Sequence, residues 1–353
     1  MNRTQSGANN QSTVNGTTEK KIFDDLTDSE RTELAAHHPL LTQNVLLPTA
    51  PIEELCRVIN RIVMLRETGC CFAAHSGVGK TSALDMVEAQ IRIKMPKLCI
   101  VKHDTHNQQF PSIRAFFKHF LATIGHEEKR GETYDLRERV VNWLIDEARI
   151  SGLNMILMSI DEAHAMAMQD FDFLKDVYND LHRAGVQLIT ILMGQDPELS
   201  KVIEKLKHAN RLDLIGRFAM RVLPFRAYNN LEDLTKILGG IDKAIYPEGS
   251  SISWTAFYFP KAFRHGFRLE NEATSMMNAI AEVAPKTVSK NFGFPARQAF
   301  LAIRTFMMDN ATFDTPDMRI PTDAWKNAVA YANLAEAIAH MRAPRKSKTD
   351  IVS

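Results

Sequence analysis

The sequence has no uninterrupted apolar run approaching the roughly 20 residues that a helix needs to cross a bilayer. Its first residues are rich in Asn, Gln, Ser and Thr, where a secretory signal peptide has an apolar stretch. These two absences favour a cytoplasmic protein that has no membrane partner.

Cysteine is scarce, and none of it is spaced as a metal-binding or redox pair. The four residues, all in the first third of the chain and all among apolar neighbours, are Cys56, Cys70, Cys71 and Cys99. Without a C-x-x-C pair, the pattern disfavours a zinc site or a disulfide framework. We expect reduced thiols inside a core.

An excess of charge is also lacking, because 43 Lys and Arg balance 42 Asp and Glu. No global field marks a nucleic-acid-binding protein, so any contact with DNA has to come from a local patch. The composition, with 45% apolar and 24% charged residues over 353 positions, is that of a globular protein with one large and one smaller domain.

Short apolar runs alternate with helical segments over the first two thirds of the chain. The predicted strands are 70–74, 98–101, 155–160 and 186–193, and the predicted helices between and beside them are 82–93, 113–124, 136–149 and 171–183. Strands separated by helices of this length indicate a parallel sheet covered on both faces. After Arg226 only helical patterns remain, at 231–245, 270–283, 295–308 and 322–341. We predict an α/β three-layer sandwich with a parallel sheet, followed by a smaller helical lid.

Four segments follow from this pattern. They are a disordered polar tail at 1–25, an α/β domain at 26–225, a helical lid at 226–312, and a C-terminal helix with a basic tail at 313–353. The first tail is too polar to offset its ordering entropy by burying apolar surface. A capping box at 27–30 predicts the start of the first helix.

The strongest motif is the run AHSGVGKT at 74–81, between a predicted strand and a predicted helix. In a phosphate-binding loop, glycines let backbone amides turn toward the phosphates, a lysine reaches the β- and γ-phosphates, and a Thr hydroxyl binds Mg²⁺. Ala74 stands where such a loop usually has its first glycine, but the later glycines remain. The alternative is a chance Gly-Lys-Thr in a solvated turn. The residues predicted to bind ATP here are His75, Ser76, Gly77, Val78, Gly79, Lys80, Thr81 and Ser82.

Two adjacent carboxylates follow the predicted strand at 155–160, as in a Walker B motif. Asp161 is predicted to line the nucleotide site and to join Thr81 on Mg²⁺, and Glu162 to activate the water that attacks the γ-phosphate. The alternative is a pair of acids that cap the next helix. His164 stays outside the predicted catalytic set, because a lone histidine is more often structural.

A polar residue, Gln195, ends the last predicted strand in the run GQDP at 194–197. If that strand lies beside the strand of the phosphate-binding loop, Gln195 can sense the γ-phosphate or the attacking water. The alternative is a polar turn residue before a proline.

Three arginines are candidates for stabilising the charge that develops during phosphoryl transfer. Arg217 is predicted to reach the γ-phosphate of a neighbouring subunit, with Arg211 as the second candidate for that role. Arg297 opens a lid helix and is predicted to touch nucleotide in its own subunit. For each of them the alternative is a surface salt bridge.

In this order, AHSGVGKT, MSIDE, the strand end at Gln195, the pair Arg217-Phe218 and GFPAR resemble the motifs of the AAA+ ATPase superfamily over about residues 40–310. Within it, the chain is most similar to the transposon-encoded regulators TnsC and TniB. That similarity rests on HPLLTQNVLLPTAPIEEL, GVGKT, IVK followed by FPSIRAFFKHFLATIG, and FYFPKAFRHGFRLENEA. It implies subunits that bind ATP, assemble on double-stranded DNA as rings or helical filaments, and link a target-site selector to the transposase.

The same resemblance implies that DNA-facing residues follow the second strand and lie on the helix after it. They are Lys102, His103, Thr105, Arg114 and Lys118. Arg114 and Lys118 are four residues apart and share a helical face, so they could follow a phosphate backbone without reading its sequence. The alternative is an ordinary solvated face.

Three other functions compete with a DNA-bound regulator. An ExeA-like secretion ATPase shares the core but adds membrane-spanning or peptidoglycan-binding segments. An adaptor could bind ATP without hydrolysing it, which the intact Asp161-Glu162 pair argues against. Origin-recognition and helicase-loading ATPases add a winged-helix domain, for which the roughly 40 residues after the lid are too few.

Overall fold

The sheet of this protein, seen in a computed structural model that describes residues 27–42, 45–105, 112–284 and 293–342, is entirely parallel. Its strands are β1 (Gly69–Ala74), β2 (Cys99–Asp104), β3 (Met155–Asp161), β4 (Gln187–Gln195) and β5 (Val222–Pro224), in the order β2-β3-β4-β1-β5. The carboxyl ends of β3, β4 and β1 are therefore neighbours. As predicted, β4 lies directly beside the strand that leads into the AHSGVGKT loop.

Helices cover both faces of the sheet, and the helices after β5 pack against one another around a separate core. Those of the first two thirds are α1 (Asp28–His37), α2 (Pro39–Thr42), α3 (Ala50–Met64), α4 (Lys80–Lys94), α5 (Ile113–Thr123), α6 (Thr133–Ser151), α7 (Met168–Arg183), α8 (Glu198–His208) and α9 (Leu212–Leu214). Those that follow β5 are α10 (Leu231–Lys243), α11 (Trp254–Tyr258), α12 (Pro260–Arg264), α13 (Ala273–Val283), α14 (Ala296–Asn310), α15 (Ala324–Tyr331) and α16 (Leu334–Arg342). The predicted fold class is confirmed.

Side chains of the central strands alternate between two cores. Ile156, Met158 and Ile160 of β3 pack with α5, α6, α7 and α8, while Met155 and Leu157 pack with α3 and α4. Because both faces are covered, the strand reads as one continuous apolar run rather than as an apolar and polar alternation. The four cysteines are free and buried in these cores, and burial raises the pKa of each thiol, that of Cys56 to about 11.

The helices after β5 enclose a third core, in which the rings of Phe306 and Trp325 stack with centroids 3.9 Å apart. Leu40 and Leu47, which precede α3, belong to this core, and Arg304 donates a hydrogen bond to the Leu40 carbonyl at 2.9 Å. The segment before α3 therefore packs on the lid helices, although the predicted division assigns it to the α/β domain.

His38, in the same segment, packs among aromatic side chains. Its ring is fully buried and lies within 5.4 Å, centroid to centroid, of four aromatic rings. Burial lowers the pKa of His38 to about 4, so the neutral imidazole acts as a packing group.

Two elements differ clearly from the predictions. Strand β5 is missed, because it has only three residues, partly or fully exposed, and pairs on one side only. The single helix predicted at 322–341 is two helices, which separate at Asn333, where φ is +51°. The capping box of α1 forms as predicted, with the Glu30 amide donating to Thr27 Oγ1 at 3.3 Å. The predicted tail at 1–25 and residues 343–353 of the tail predicted at 342–353 lie outside the described residues.

No helix within the described ranges is long and apolar enough to span a membrane.

Candidate functional site

The loop between β1 and α4 has the backbone of a phosphate-binding loop. Gly77 and Gly79 have φ angles of +77° and +91°, in the left-handed region that favours glycine. Val78, between them, is buried in the core shared with α3 and anchors the loop from below. Lys80 is the first residue of α4 and only 9% exposed, so its ammonium group is held close to the loop.

Thr81 and Asp161 meet beside this loop. Thr81 Oγ1 donates a hydrogen bond to Asp161 Oδ2 at 2.6 Å, and the amide of Glu162 donates to Asp161 Oδ1 at 2.8 Å. Asp161 is 7% exposed at the end of β3. A hydroxyl and a carboxylate are hard oxygen ligands of the kind that Mg²⁺ prefers, and here they lie together next to a lysine. The residues present therefore fit a magnesium ion and the phosphates of a nucleotide.

Glu162 lies across from Lys80, with its Oε1 atom 3.8 Å from the Lys80 Nζ atom. Its backbone is left-handed, with φ at +52°, which turns the chain out of β3 at this residue. Its side chain is about half exposed, so water can reach the carboxylate. The two predicted carboxylates thus separate, one facing the Thr81 hydroxyl and the other facing the lysine.

His164 joins this cluster, which sequence reasoning missed. Its Nε2 atom lies 3.4 Å from Glu162 Oε2, and its Nδ1 atom accepts a hydrogen bond from the backbone amide of Gln195 at 3.2 Å. Gln195 ends β4, next to β1, as its predicted role requires. The sequence signal was the position of His164, two residues after Glu162.

Arg297 brings the lid to the loop through its backbone. Its amide, in the first turn of α14, donates to the Gly77 carbonyl at 3.0 Å. Pro295 and Ala296 pack over the two loop glycines. The Arg297 side chain is exposed at this junction.

Arg211 and Arg217 have partners outside this cluster, and the two are held in different ways. Arg211 forms ion pairs with Asp172 and Asp213, whose carboxylates raise its pKa and have their own pKa values lowered in return. Arg217 donates to the Asp213 carbonyl at 2.8 Å and lies 5.3 Å from the centre of the Tyr178 ring. The Arg217 Nε atom is buried without a hydrogen-bond partner in the described structure.

The residues predicted to face DNA do not form one surface. Lys102 pairs with Asp85 and Glu88 of α4; burial opposes its charge, but these carboxylates outweigh that effect and raise its pKa. His103 is 2% exposed and stacks on Phe120. His103 therefore cannot reach a DNA backbone in this conformation, contrary to the expectation, because its side chain points into the core.

Thr105, Arg114 and Lys118 complete that set. Thr105 Oγ1 donates to the Glu162 carbonyl at 2.6 Å, so it supports the turn after β3. Arg114 and Lys118 are exposed on α5, one turn apart, as predicted.

Residues 66–203 match a family model described as an AAA domain. The matched stretch is less than half of the chain and contains the loop at 74–81, Asp161, Glu162 and Gln195. Together with the parallel sheet, this match identifies an AAA-family P-loop domain. Comparison with curated proteins gave no match.

Solved structures with a similar fold include Drosophila ORC bound to DNA, with 14% identity, a TM-score of 0.45, and coverage of 93% of this chain and 73% of that chain. Domain III of the Thermotoga maritima replication initiation protein DnaA has 11% identity, a TM-score of 0.41, and coverage of 85% and 98%. C. elegans PCH-2 has 14% identity, a TM-score of 0.40, and coverage of 88% and 73%. Likenesses this distant say nothing about what the chain binds.

Proposed function

We propose that the chain is a Mg²⁺-dependent ATPase. The observation that carries the proposal is the pair of contacts at the loop, Thr81 with Asp161 and Lys80 with Glu162. The first pair presents oxygen ligands for the metal, and the second places a lysine and the general base beside the loop that would hold the phosphates. An alternative in which the two acids only cap a helix does not account for their contacts with the loop residues.

The chain's own residues divide the work of hydrolysis. The left-handed glycines 77 and 79 expose backbone amides to the phosphates, and Lys80 exchanges Glu162 for the β- and γ-phosphates. Glu162 then orients and deprotonates the attacking water. Mg²⁺, held by Thr81 and Asp161, would neutralise charge on the phosphate oxygens when bound.

Arginines complete the proposed site from two directions. Arg217, with its partly unsatisfied guanidinium, is our candidate for reaching the γ-phosphate of a neighbouring subunit, since Arg211 is already held by two carboxylates. Arg297 is close to the loop in its own subunit and is the candidate for contact from the lid. Hydrolysis would then depend on self-assembly, because one subunit lacks its full set of charges.

We further propose that the ATP-bound subunits assemble on double-stranded DNA and regulate transposition, linking a target selector to a transposase. The motif resemblance to TnsC and TniB supports this role, and the exposed pair Arg114 and Lys118 supplies a local basic patch. An ExeA-like secretion ATPase or another P-loop adaptor would share the nucleotide site without the DNA.

Fluorescence anisotropy with labelled duplexes of two lengths, in ATP and in ADP, tests this function. We expect tight binding only with ATP, stronger on the longer duplex, independent of sequence and weakened by salt, because linked subunits sum modest phosphate contacts. Phosphate release is measured on the same samples. Equal binding in both nucleotides, or none to either duplex at low salt, would exclude ATP-dependent assembly on DNA, whereas absence of phosphate release would exclude the ATPase.

A further inference from the structure

The Glu162 carboxylate has a different partner on each oxygen. Its Oε1 atom faces the Lys80 ammonium at 3.8 Å, and its Oε2 atom faces the His164 ring at 3.4 Å. In the proposed reaction the contact with Lys80 is lost, because Lys80 moves to the phosphates. The contact with His164 is kept, because His164 does not bind phosphate. A carboxylate held only by Lys80 would lose its orientation when it is needed.

The hydrogen bond at Nδ1 determines which nitrogen of the His164 ring carries the proton. Nδ1 accepts a hydrogen bond from the Gln195 amide at 3.2 Å, so Nδ1 carries no proton. A neutral imidazole has one N–H, which must then be on Nε2, the atom that faces Glu162. The Nε2–H group therefore faces the Glu162 carboxylate, and Nδ1 accepts from the end of β4.

The backbone around His164 is built for this contact. The turn at Ala163–Ala165 brings the histidine back toward the sheet, and the Ala165 amide donates to the Glu162 carbonyl at 2.8 Å. A side chain at Gly194 would place its Cβ 3.1 Å from the His164 amide, so the glycine permits the close approach of this turn to β4. Only 20% of the His164 side chain is exposed.

We propose that His164 is a positioning residue that fixes the Glu162 carboxylate and couples its orientation to the end of β4. This inference rests on the proposed ATPase function. When Lys80 moves to the phosphates, the hydrogen bond from His164 keeps Oε2 in place and leaves Oε1 free for the water. Because the same ring is bonded to the Gln195 amide, a shift of the γ-phosphate-sensing strand end moves the base with it.

Two conservative variants separate the two hydrogen bonds of the ring. The amide nitrogen of Gln can replace Nε2, so His164→Gln retains a donor to Glu162. The shorter Asn can replace only Nδ1, so His164→Asn retains an acceptor for the Gln195 amide and loses that donor. His164→Ala loses both, and His208→Ala, at an exposed position in the last turn of α8, is the control.

We expect His164→Ala and His164→Asn to lower kcat by about 10- to 100-fold, as misplacing a catalytic group does, while ATP affinity changes less than about twofold. His164→Gln should recover most of kcat. A packing role alone would predict equal loss in Gln and Asn, or loss of ATP affinity together with kcat, and either result would overturn the proposal. Unchanged kcat in His164→Ala would overturn it as well.

Nitrogen-15 NMR of histidine-labelled protein without nucleotide gives a readout that needs no hydrolysis. The His164 resonances, assigned by their loss in His164→Ala, should report the Nε2–H tautomer. The Nδ1–H tautomer would contradict the proposal. Failure of the wild-type protein to hydrolyse ATP would instead refute the ATPase function, while hydrolysis that is abolished by Lys80→Ala but untouched by His164→Ala would refute only the role of His164.

Discussion

The nucleotide-site residues and the DNA-facing residues were predicted from the same chain, but the fold holds them in opposite ways. Lys80 and Thr81 begin α4, after the loop that follows β1, and β4 separates β1 from β3. Thr81 contacts Asp161 at the end of β3, and Lys80 faces Glu162 directly after it. Lys102 and His103, in contrast, lie on the edge strand β2 and turn toward their own subunit. A parallel sheet determines where its carboxyl ends meet, whereas nothing in its topology determines which surface cations stay free.

The comparison predicts that Lys80 decides whether ATP binds at all. Lys80→Ala should lower ATP affinity by at least about 100-fold, because the ammonium group is the main protein charge that faces the β- and γ-phosphates. Isothermal titration calorimetry measures the affinity, with Lys94→Ala at the exposed end of α4 as the control. Unchanged affinity in Lys80→Ala would break the assignment of the phosphate site.

A second prediction separates binding from turnover at the same site. Glu162→Gln should lower kcat about 1,000-fold and keep ATP bound, because the amide preserves shape but cannot accept the proton from water. Single-turnover phosphate release measures the rate, and Glu138→Gln on the exposed face of α6 serves as the control. Release at the wild-type rate would remove Glu162 from the proposed chemistry.

The sequence was enough to predict strands β1 to β4, the position of β4 beside β1, and the two carboxylates at the end of β3. A short apolar run predicts a strand buried on both faces even when the strands that pair with it are not known. The loop needs positive φ angles at two positions, and glycine adopts them without steric cost. The three-residue strand β5 has no such signal, because its side chains are partly or fully exposed.

Interactions between distant segments were beyond the reach of the sequence. His164 became a site residue only when the fold brought the Gln195 amide within 3.2 Å of it. Likewise, nothing in the local pattern around Lys102 showed that Asp85 and Glu88, from α4, would pair with it. Both outcomes depend on packing between elements, which spacing along the chain does not encode.

The two arginines near α9 sharpen the comparison within one small region. Arg217→Ala should lower kcat about 100-fold, the effect of removing one charged donor from a transition state, and should weaken assembly in ATP. Arg211→Ala, which removes a cation already paired with Asp172 and Asp213, should leave kcat within about threefold. Phosphate release and light scattering measure the two properties.

Mixing variants tests whether Arg217 acts between subunits. Arg217→Ala subunits have an intact nucleotide site, and Glu162→Gln subunits keep both ATP binding and Arg217, so a mixed assembly should regain part of the activity that each lacks alone. No recovery on mixing, with both variants folded by circular dichroism, would place the action of Arg217 inside its own subunit. Equal losses in Arg211→Ala and Arg217→Ala would also end the distinction between them.

The smallest effects concern DNA binding, for which some of the predicted residues are exposed and others are paired within their own subunit. Arg114 and Lys118 are exposed and one turn apart on α5, so each alanine variant should weaken ATP-dependent DNA binding by about 3- to 10-fold. Each should also lower the slope of log affinity against log salt by about one per lost phosphate contact. Lys102→Ala should change neither quantity, because that lysine is already paired with carboxylates of its own subunit. Anisotropy titrations over a series of salt concentrations measure both. A larger loss for Lys102→Ala than for Arg114→Ala would mean that DNA displaces Asp85 and Glu88 from Lys102, and that the edge of β2, rather than α5, carries the contact.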